Sequence, residues 1–266
     1  MMILPLFRYE LRSCLFPTFI IAAVVILYAG VIISMYDPAL GESLALMRDA
    51  MPELIAAFGM ADQGTTLLEF MINYLYGFLL VVLPLVLVAA LASRLVARYI
   101  ERGSITYLLA QPVSRTRLML SQASVLVFCL VLLVAVLTAC ELACAQALFP
   151  GELDVSDLVA VNAATFCLWL FLSGVCWAGA CALPNVSAAR WAGVALCILF
   201  VLAQMLSGVG DELSWLGDVT PLALFDPLGV ASGKMGALAG VAALGVSGTV
   251  LFALGTVSFA RRDLSV

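Results

Sequence analysis

Residues 94–118 read RLVARYIERGSITYLLAQPVSRTRL, and this charged stretch lies between two long apolar runs. It contains five of the twelve basic residues of the chain. An arginine at the centre of a bilayer costs about 2.5–3.5 kcal/mol, so burying five of them would cost on the order of 12–17 kcal/mol. We therefore expect the stretch to lie in water, as a loop between two membrane spans.

The composition of the whole chain is that of an integral membrane protein. Of its 266 residues, 65% are hydrophobic and only 11% are charged, whereas roughly 25% of the residues of a soluble domain are charged. The mean hydropathy is +1.17. The sequence therefore predicts an all-α, polytopic membrane protein with a single transmembrane domain over residues 1–266.

Six apolar runs are long enough to cross a bilayer, which needs about 20 residues. They are Leu15–Tyr36, Phe70–Leu91, Leu118–Phe149, Leu158–Leu183, Trp191–Val209 and Gly236–Ala260. We interpret the first run as a retained span, because it is too long for the apolar part of a signal peptide. Pro84 interrupts the second run, and we expect a neighbouring helix to satisfy the carbonyl that this proline leaves free.

The distribution of basic residues orients these spans. With both termini in the cytosol, only Arg48 and Lys234 of the twelve basic residues fall in outer segments. The predicted topology is therefore N-in and C-in with six transmembrane helices. It places an amphipathic segment at residues 43–60 and a hairpin at residues 210–235 on the outer side.

The chain lacks the residues that most enzymatic reactions need. The chain has no histidine, which excludes histidine zinc sites and Ser-His or Cys-His dyads. The segment Gly229–Met235 resembles a Walker A loop, but only three residues separate its glycines and a methionine follows its lysine. We predict a protein that is not an enzyme, with no catalytic residue, no metal, no cofactor of its own and no nucleic-acid partner.

Glu141 is the one carboxylate inside a predicted span. An ionisable side chain within the membrane is a candidate for a transport pathway, so Glu141 is the candidate pathway residue of this chain. Because Glu141 lies near the outer end of the third run, it could instead form a hydrogen bond with Thr138 or reach the membrane–water interface. Cys140 and Cys144 lie nearby, but residues 140 and 141 point in different directions on a helix, which argues against a shared metal site.

The last run carries a surface of small residues, formed by Gly236, Gly240, Gly245, Gly248 and Gly255. Glycines at such spacing allow the backbones of two helices to approach closely. We expect this surface to pack against other spans of the same chain rather than against a second copy.

The charged loop also has an apolar edge that a simple linker would not need. Ile105, Leu108 and Leu109 fall at positions i, i+3 and i+4, the spacing of one face of a short helix. Pro112 then ends that helix. The pattern favours a docking surface for another protein.

The same residues resemble a motif of the ABC-2-type transporter permeases. The motif comprises Glu101-Arg102-Gly103-Ser104 and then residues 107–115, YLLAQPVSR. Two further segments agree: residues 52–59, PELIAAFG, resemble the outer amphipathic segment of these permeases, and residues 259–264, FARRDL, resemble their tail. Together with the six predicted spans, the resemblance covers essentially the whole chain.

The resemblance implies an ABC-2-type (type V exporter-like) permease fold in the cell membrane of a prokaryote. It implies that a separate ABC ATPase subunit binds ATP, and that a second permease copy or a paralogue completes the transporter within the lipid bilayer. Residues 94–117 would form the cytosolic coupling loop that docks on the ATPase. The implied coupling residues are Glu101, Arg102, Gly103, Ile105, Leu108, Leu109, Pro112 and Arg115.

Two alternatives from other classes remain open at this point. A membrane immunity or assembly factor would bind a partner without moving a solute, and its function would survive inactivation of the partner ATPase. A proton-coupled secondary carrier would need buried titratable groups. Loss of transport on Glu141→Gln would favour the carrier.

Overall fold

The computed structural model describes residues 3–37, 66–97, 114–183, 186–208 and 213–261. Every regular element in these ranges is helical and none is a strand, which confirms the all-α prediction. The predicted outer amphipathic segment, most of the predicted coupling loop and residues 210–212 of the predicted outer hairpin lie outside the described residues.

The described residues contain nine α-helices, two π-helical turns and one 3-10 helix. The α-helices are α1 (Leu4–Ser34), α2 (Leu67–Met71), α3 (Leu79–Ala92), α4 (Arg115–Leu148), α5 (Val155–Ala182), α6 (Val186–Ser207), α7 (Trp215–Val219), α8 (Pro227–Ala231) and α9 (Met235–Arg261). Two π-helical turns, Ile72–Tyr76 and Ser93–Ala97, flank α3, and a 3-10 helix, Pro221–Leu224, separates α7 from α8.

Within the described ranges, five helical segments are long and apolar enough to cross a membrane. They are α1, α4, α5, α9 and Leu79–Val96, which joins α3 to its following π-helical turn. The fifth predicted run lies on α6, whose apolar part Trp191–Ser207 is a shorter apolar helix and not one of these five candidates. Five of the six predicted runs thus coincide with candidate spans, and the remaining run coincides with α6.

The first span begins earlier than its apolar run. Helix α1 starts at Leu4 rather than at Leu15, because the chain keeps satisfying its backbone hydrogen bonds within the helix beyond the apolar residues. Glu10 consequently lies within α1, where it is fully buried. Glu10 thus shares a helix with the first predicted span, although it precedes the apolar run Leu15–Tyr36.

Helix α5 is central and packs against α3, α4, α6, α8 and α9, with α9 as its most extensive partner. Glycines make the close approach to α9 possible. A Cβ atom on Gly174 would lie 2.7 Å from the carbonyl oxygen of Gly248, and one on Gly248 would lie 2.8 Å from the backbone of Leu170. This confirms that the glycine surface packs against the chain's own helices, although Gly236 has nothing within 4 Å.

Helix α1 lies along α4. Near one end, the amide of Ile3 donates to Ser121 Oγ at 2.8 Å. Beyond the other end of α1, the ring of Tyr36 meets the ring of Phe149 edge-on at 5.2 Å. The start of α1 thus pairs with the first part of α4 and its end with the last part, so the two helices run parallel.

Candidate functional site

Glu141 belongs to a closed cluster of three polar side chains among apolar helices. The Tyr76 hydroxyl lies 2.9 Å from Glu141 Oε1 and 3.0 Å from Asn162 Oδ1. Asn162 Nδ2 donates to Glu141 Oε2 at 2.7 Å. All three side chains are buried, Tyr76 and Glu141 completely. We call these three residues the polar cluster.

The polar cluster joins three elements. Tyr76 is the last residue of the first π-helical turn, a rare geometry that often occurs at functional sites. Glu141 lies on α4, and Asn162 lies in the first part of α5. Asp154 fixes where α5 starts, because it accepts hydrogen bonds from the hydroxyl and the amide of Ser156 at 2.7 and 2.8 Å. The same bonds hold the pKa of Asp154, which is exposed, below its usual range.

Two of the cluster residues were not identified from the sequence. Glu141 does not bond to Thr138, whose hydroxyl donates to the Val134 carbonyl at 2.8 Å. It is bonded instead to Tyr76 and Asn162, which are 65 and 21 residues away along the chain. The available signal was an asparagine inside the fourth apolar run, since a polar side chain within a span usually has a buried polar partner.

Pro84 creates a second buried polar feature. It has no N–H group, so the carbonyl of Leu80, one turn earlier in α3, has no donor within the helix. The indole Nε1 of Trp169 on α5 donates to this carbonyl at 2.6 Å. The prediction that a neighbouring helix satisfies the carbonyl freed by Pro84 is thus confirmed.

Pro17 creates the same defect in α1 at the carbonyl of Ser13. Arg94 Nη1, on the second π-helical turn, donates to it at 2.7 Å. Arg94 is partly buried. The first arginine of the charged stretch is therefore not merely solvated, because it ties the base of the loop to α1.

The other predicted coupling residues lie almost entirely outside the described residues. This holds for Glu101, Arg102, Gly103, Ile105, Leu108, Leu109 and Pro112. Arg115 is placed, and it is the first residue of α4. Ser114 caps that helix by accepting from the Arg117 amide at 3.4 Å. Ala97 and Ser114 are thus the described residues that flank the loop.

An apolar groove of about 760 Å³ lies between α4, α5 and α9. Its polar lining residues are Thr116, Ser124, Thr249 and Thr256, and the last three donate their hydroxyl hydrogens to carbonyls of their own helices. The groove therefore presents an almost entirely apolar surface. Its volume falls within the range of about 300–1,000 Å³ that is usual for drug-sized ligands.

A smaller cavity of about 250 Å³ lies between the first π-helical turn, α3, α5, α6 and residues 222–228. Its lining includes the polar side chains of Asn73, Gln204 and Asp226. Asp226 accepts from the Gly229 amide at 2.8 Å and so caps α8. This cavity is too small for a drug-sized molecule.

A comparison with protein families identifies one match. The model described as "Multidrug efflux system permease Rv1217c, C-terminal domain" matches residues 12–260. No curated protein and no solved structure matches the chain. The matched range includes the polar cluster, both proline sites and the apolar groove.

Proposed function

Because the chain belongs to the family described as multidrug efflux system permease Rv1217c, C-terminal domain, we propose that it is the membrane-spanning subunit of an ATP-driven ABC-2-type exporter. The match over residues 12–260 carries this proposal. Family membership makes the chain a membrane permease of an efflux system, and the resemblance of residues 101–115 to the ABC-2 motif supplies the coupling to ATP. In this proposal the protein lies in a prokaryotic cell membrane with both termini in the cytosol.

A separate ATPase subunit docks on the coupling loop between Ala97 and Ser114. The described flanks of the loop support a mechanical role. On one side Arg94 ties the π-helical turn to α1, and on the other side the chain enters α4, which packs along α1. A displacement of the loop would therefore move α1, α3 and α4 together, and a second permease copy or paralogue would form the other half of the pathway.

The cargo in this proposal is an apolar or amphipathic small molecule. The family description names a multidrug efflux system, and the apolar groove has the size and lining for such a molecule. Its hydroxyls are engaged with backbone carbonyls, so contact with the cargo would rest on apolar surface rather than on specific hydrogen bonds. A site of this kind tolerates molecules of different shape.

Docking is tested by co-purification of the permease with its ATPase subunit. Leu108→Asp places a charge on the predicted apolar edge of the loop, and Gly103→Trp adds a bulky side chain at another implied coupling residue. We expect each to reduce recovery of the ATPase by about tenfold or more, the loss typical of a central interface residue. Tyr107→Asp is the matched control, since residue 107 is predicted to lie off that edge.

The proposal fails if complex formation and ATP-dependent efflux survive both Leu108→Asp and Gly103→Trp. A separate measurement addresses the immunity or assembly factor. If the cellular function of the chain persists when the catalytic residues of the ATPase are inactivated, the chain does not work as an ATP-driven permease.

The role of the groove is tested with two alanines of α9. Both Ala253 and Ala243 are exposed, but only Ala253 lines the groove. We expect Ala253→Trp to lower efflux of an apolar dye from cells by about an order of magnitude, because the indole occupies volume that the cargo needs. Ala243→Trp should leave efflux close to that of the unmodified protein. Equal efflux by the two variants would exclude the groove as the cargo surface.

A further inference from the structure

The three contacts of the polar cluster specify how many hydrogen atoms it contains. The contacts measure 2.7, 2.9 and 3.0 Å, all within hydrogen-bond range. Each of them therefore needs one hydrogen atom between its two heavy atoms. Two oxygens that face each other at such a distance without a hydrogen repel, and in a buried site no water screens that repulsion.

An ionised Glu141 leaves the cluster one hydrogen short. The Tyr76 hydroxyl has a single hydrogen, and an ionised carboxylate only accepts. The side-chain amide of Asn162 turns its oxygen to one neighbour and its nitrogen to the other, so it supplies a hydrogen to one contact. Two hydrogens are then available for three contacts.

The count does not depend on which way the Asn162 amide is placed. With Nδ2 toward Glu141, Tyr76 has one hydrogen for two acceptors. With the amide turned over, its nitrogen donates to Tyr76, and the oxygens of Asn162 and Glu141 face each other at 2.7 Å without a hydrogen. Either orientation lacks one hydrogen when the carboxylate is ionised.

A protonated carboxyl supplies the missing hydrogen and closes the ring. The acid O–H of Glu141 donates to the Tyr76 oxygen, Tyr76 donates to Asn162 Oδ1, and Asn162 Nδ2 donates to Glu141 Oε2. We propose that the polar cluster is a proton-binding site in which Glu141 is a neutral carboxylic acid that locks the first π-helical turn, α4 and α5 together.

The surroundings of Glu141 fit a neutral acid. Its recorded contacts in the described part of the chain are with its two cluster partners and include no cation. On α4 the nearby titratable groups are Cys140 and Cys144, whose sulfurs lie 3.9 Å from each other. Among the helices packed on α4, α3 has no titratable residue and α9 has only Arg261 at its last position. Helix α1 carries titratable groups near its start and the 42% exposed Tyr28, and none of them is hydrogen-bonded to Glu141. The groups near the start are Arg8, Tyr9, Glu10, Arg12 and Cys14. Helix α5 carries Asp157 in its first turn and Cys167, Cys176 and Cys181 further along, and none of these is hydrogen-bonded to Glu141 either.

Loss of the proton would open the lock. The O–H bond of Glu141 breaks, its electron pair stays on the carboxylate, and the proton passes to water. This removes one hydrogen bond of the ring and leaves a buried charge without a compensating cation, which is costly while the three elements remain packed. Proton release is therefore linked to separation of the π-helical turn, α4 and α5.

Infrared spectroscopy of the full chain in lipid nanodiscs at neutral pH tests the proposal. A protonated carboxyl group has a C=O band that is distinct from the bands of an ionised carboxylate. We expect a protonated-carboxyl band in the unmodified protein that is lost in Glu141→Gln. If the two spectra show the same protonated-carboxyl intensity, the proposal is overturned.

Two tyrosines of the same π-helical turn give a matched pair that leaves Glu141 in place. Tyr76→Phe removes the acceptor of the acid hydrogen and should shift the band. Tyr74→Phe should not shift it, because Tyr74 packs its ring against Phe70 at 4.6 Å and makes no contact with the cluster. An unshifted band in Tyr76→Phe, or the same shift in both variants, also overturns the proposal. This comparison decides the matter even if Glu141→Gln does not fold.

The pH dependence of thermal unfolding supplies a second readout. The folded protein holds a proton that the unfolded chain releases at neutral pH, so raising the pH should lower the unfolding temperature of the unmodified protein. Glu141→Gln supplies its amide hydrogen at every pH and should remove that part of the dependence. Equal pH dependence of both proteins would contradict proton binding by the cluster.

Discussion

Pro84 and Pro17 create the same backbone defect in two regions of the bundle, and the chain corrects it with different chemistry. At Pro84 the donor is the neutral indole of Trp169, which is fully buried. At Pro17 the donor is the guanidinium of Arg94, which is only partly buried and begins the charged stretch. The two hydrogen bonds have nearly equal lengths, 2.6 and 2.7 Å.

The difference shows that burial decides which donor can be used. A neutral N–H group can be buried at little cost once it is bonded, whereas a buried cation keeps a large desolvation penalty. Arginine is therefore usable only where its remaining N–H groups reach polar surroundings. Tryptophan serves deep in the bundle, where it also fills volume beside α3.

The largest loss of stability is expected from Trp169→Phe. It leaves the Leu80 carbonyl buried without a donor, which costs about 1–3 kcal/mol, and it removes part of a large packed side chain. The free energy of unfolding, measured in bilayers or mild detergent, should fall by at least this amount.

The contribution of the hydrogen bond can be separated from that of packing by restoring the missing backbone donor. In a Pro84→Ala background the helix supplies its own N–H group to Leu80, so Trp169→Phe should cost about 1 kcal/mol less there. If the substitution costs the same in both backgrounds, the indole does not stabilise α3 through this carbonyl.

A smaller loss of stability is expected from Arg94→Met. Polar surroundings can replace the guanidinium at the Ser13 carbonyl, so the free energy of unfolding should fall by only about 0.5–1 kcal/mol. A Pro17→Ala background should reduce that loss further. Arg8→Met is a suitable control, since Arg8 is an exposed arginine of α1, the helix to which Arg94 donates. A loss as large as that of Trp169→Phe would refute the explanation by burial.

The predictions for Pro84 and Glu141 show how much of the structure could be inferred from the sequence. The missing N–H group of proline is a local property, so the need for an outside donor was predictable. The identity of the donor was not, because Trp169 and Leu80 are 89 residues apart. Glu141 was likewise recognisable as unusual, whereas its partners Tyr76 and Asn162 come from two other elements that only the folded bundle brings together.

The ends of the spans were less predictable than their centres. Helix α1 extends to Leu4 and buries Glu10, and α6 begins at Val186, before the predicted run that starts at Trp191. Hydropathy locates the apolar part of a helix, but backbone hydrogen bonding and capping decide where the helix ends. Placement of Glu10 therefore required the structure.

The sequence by itself determined that this protein is an all-helical membrane protein and which residues would be unusual inside it, because hydropathy and missing backbone donors are properties of the chain. The tertiary structure alone decided which groups meet: Trp169 with the carbonyl freed by Pro84, Arg94 with the carbonyl freed by Pro17, and Glu141 with its two partners. The physical reason is that a buried polar group needs a partner, and the packing of distant helices selects that partner.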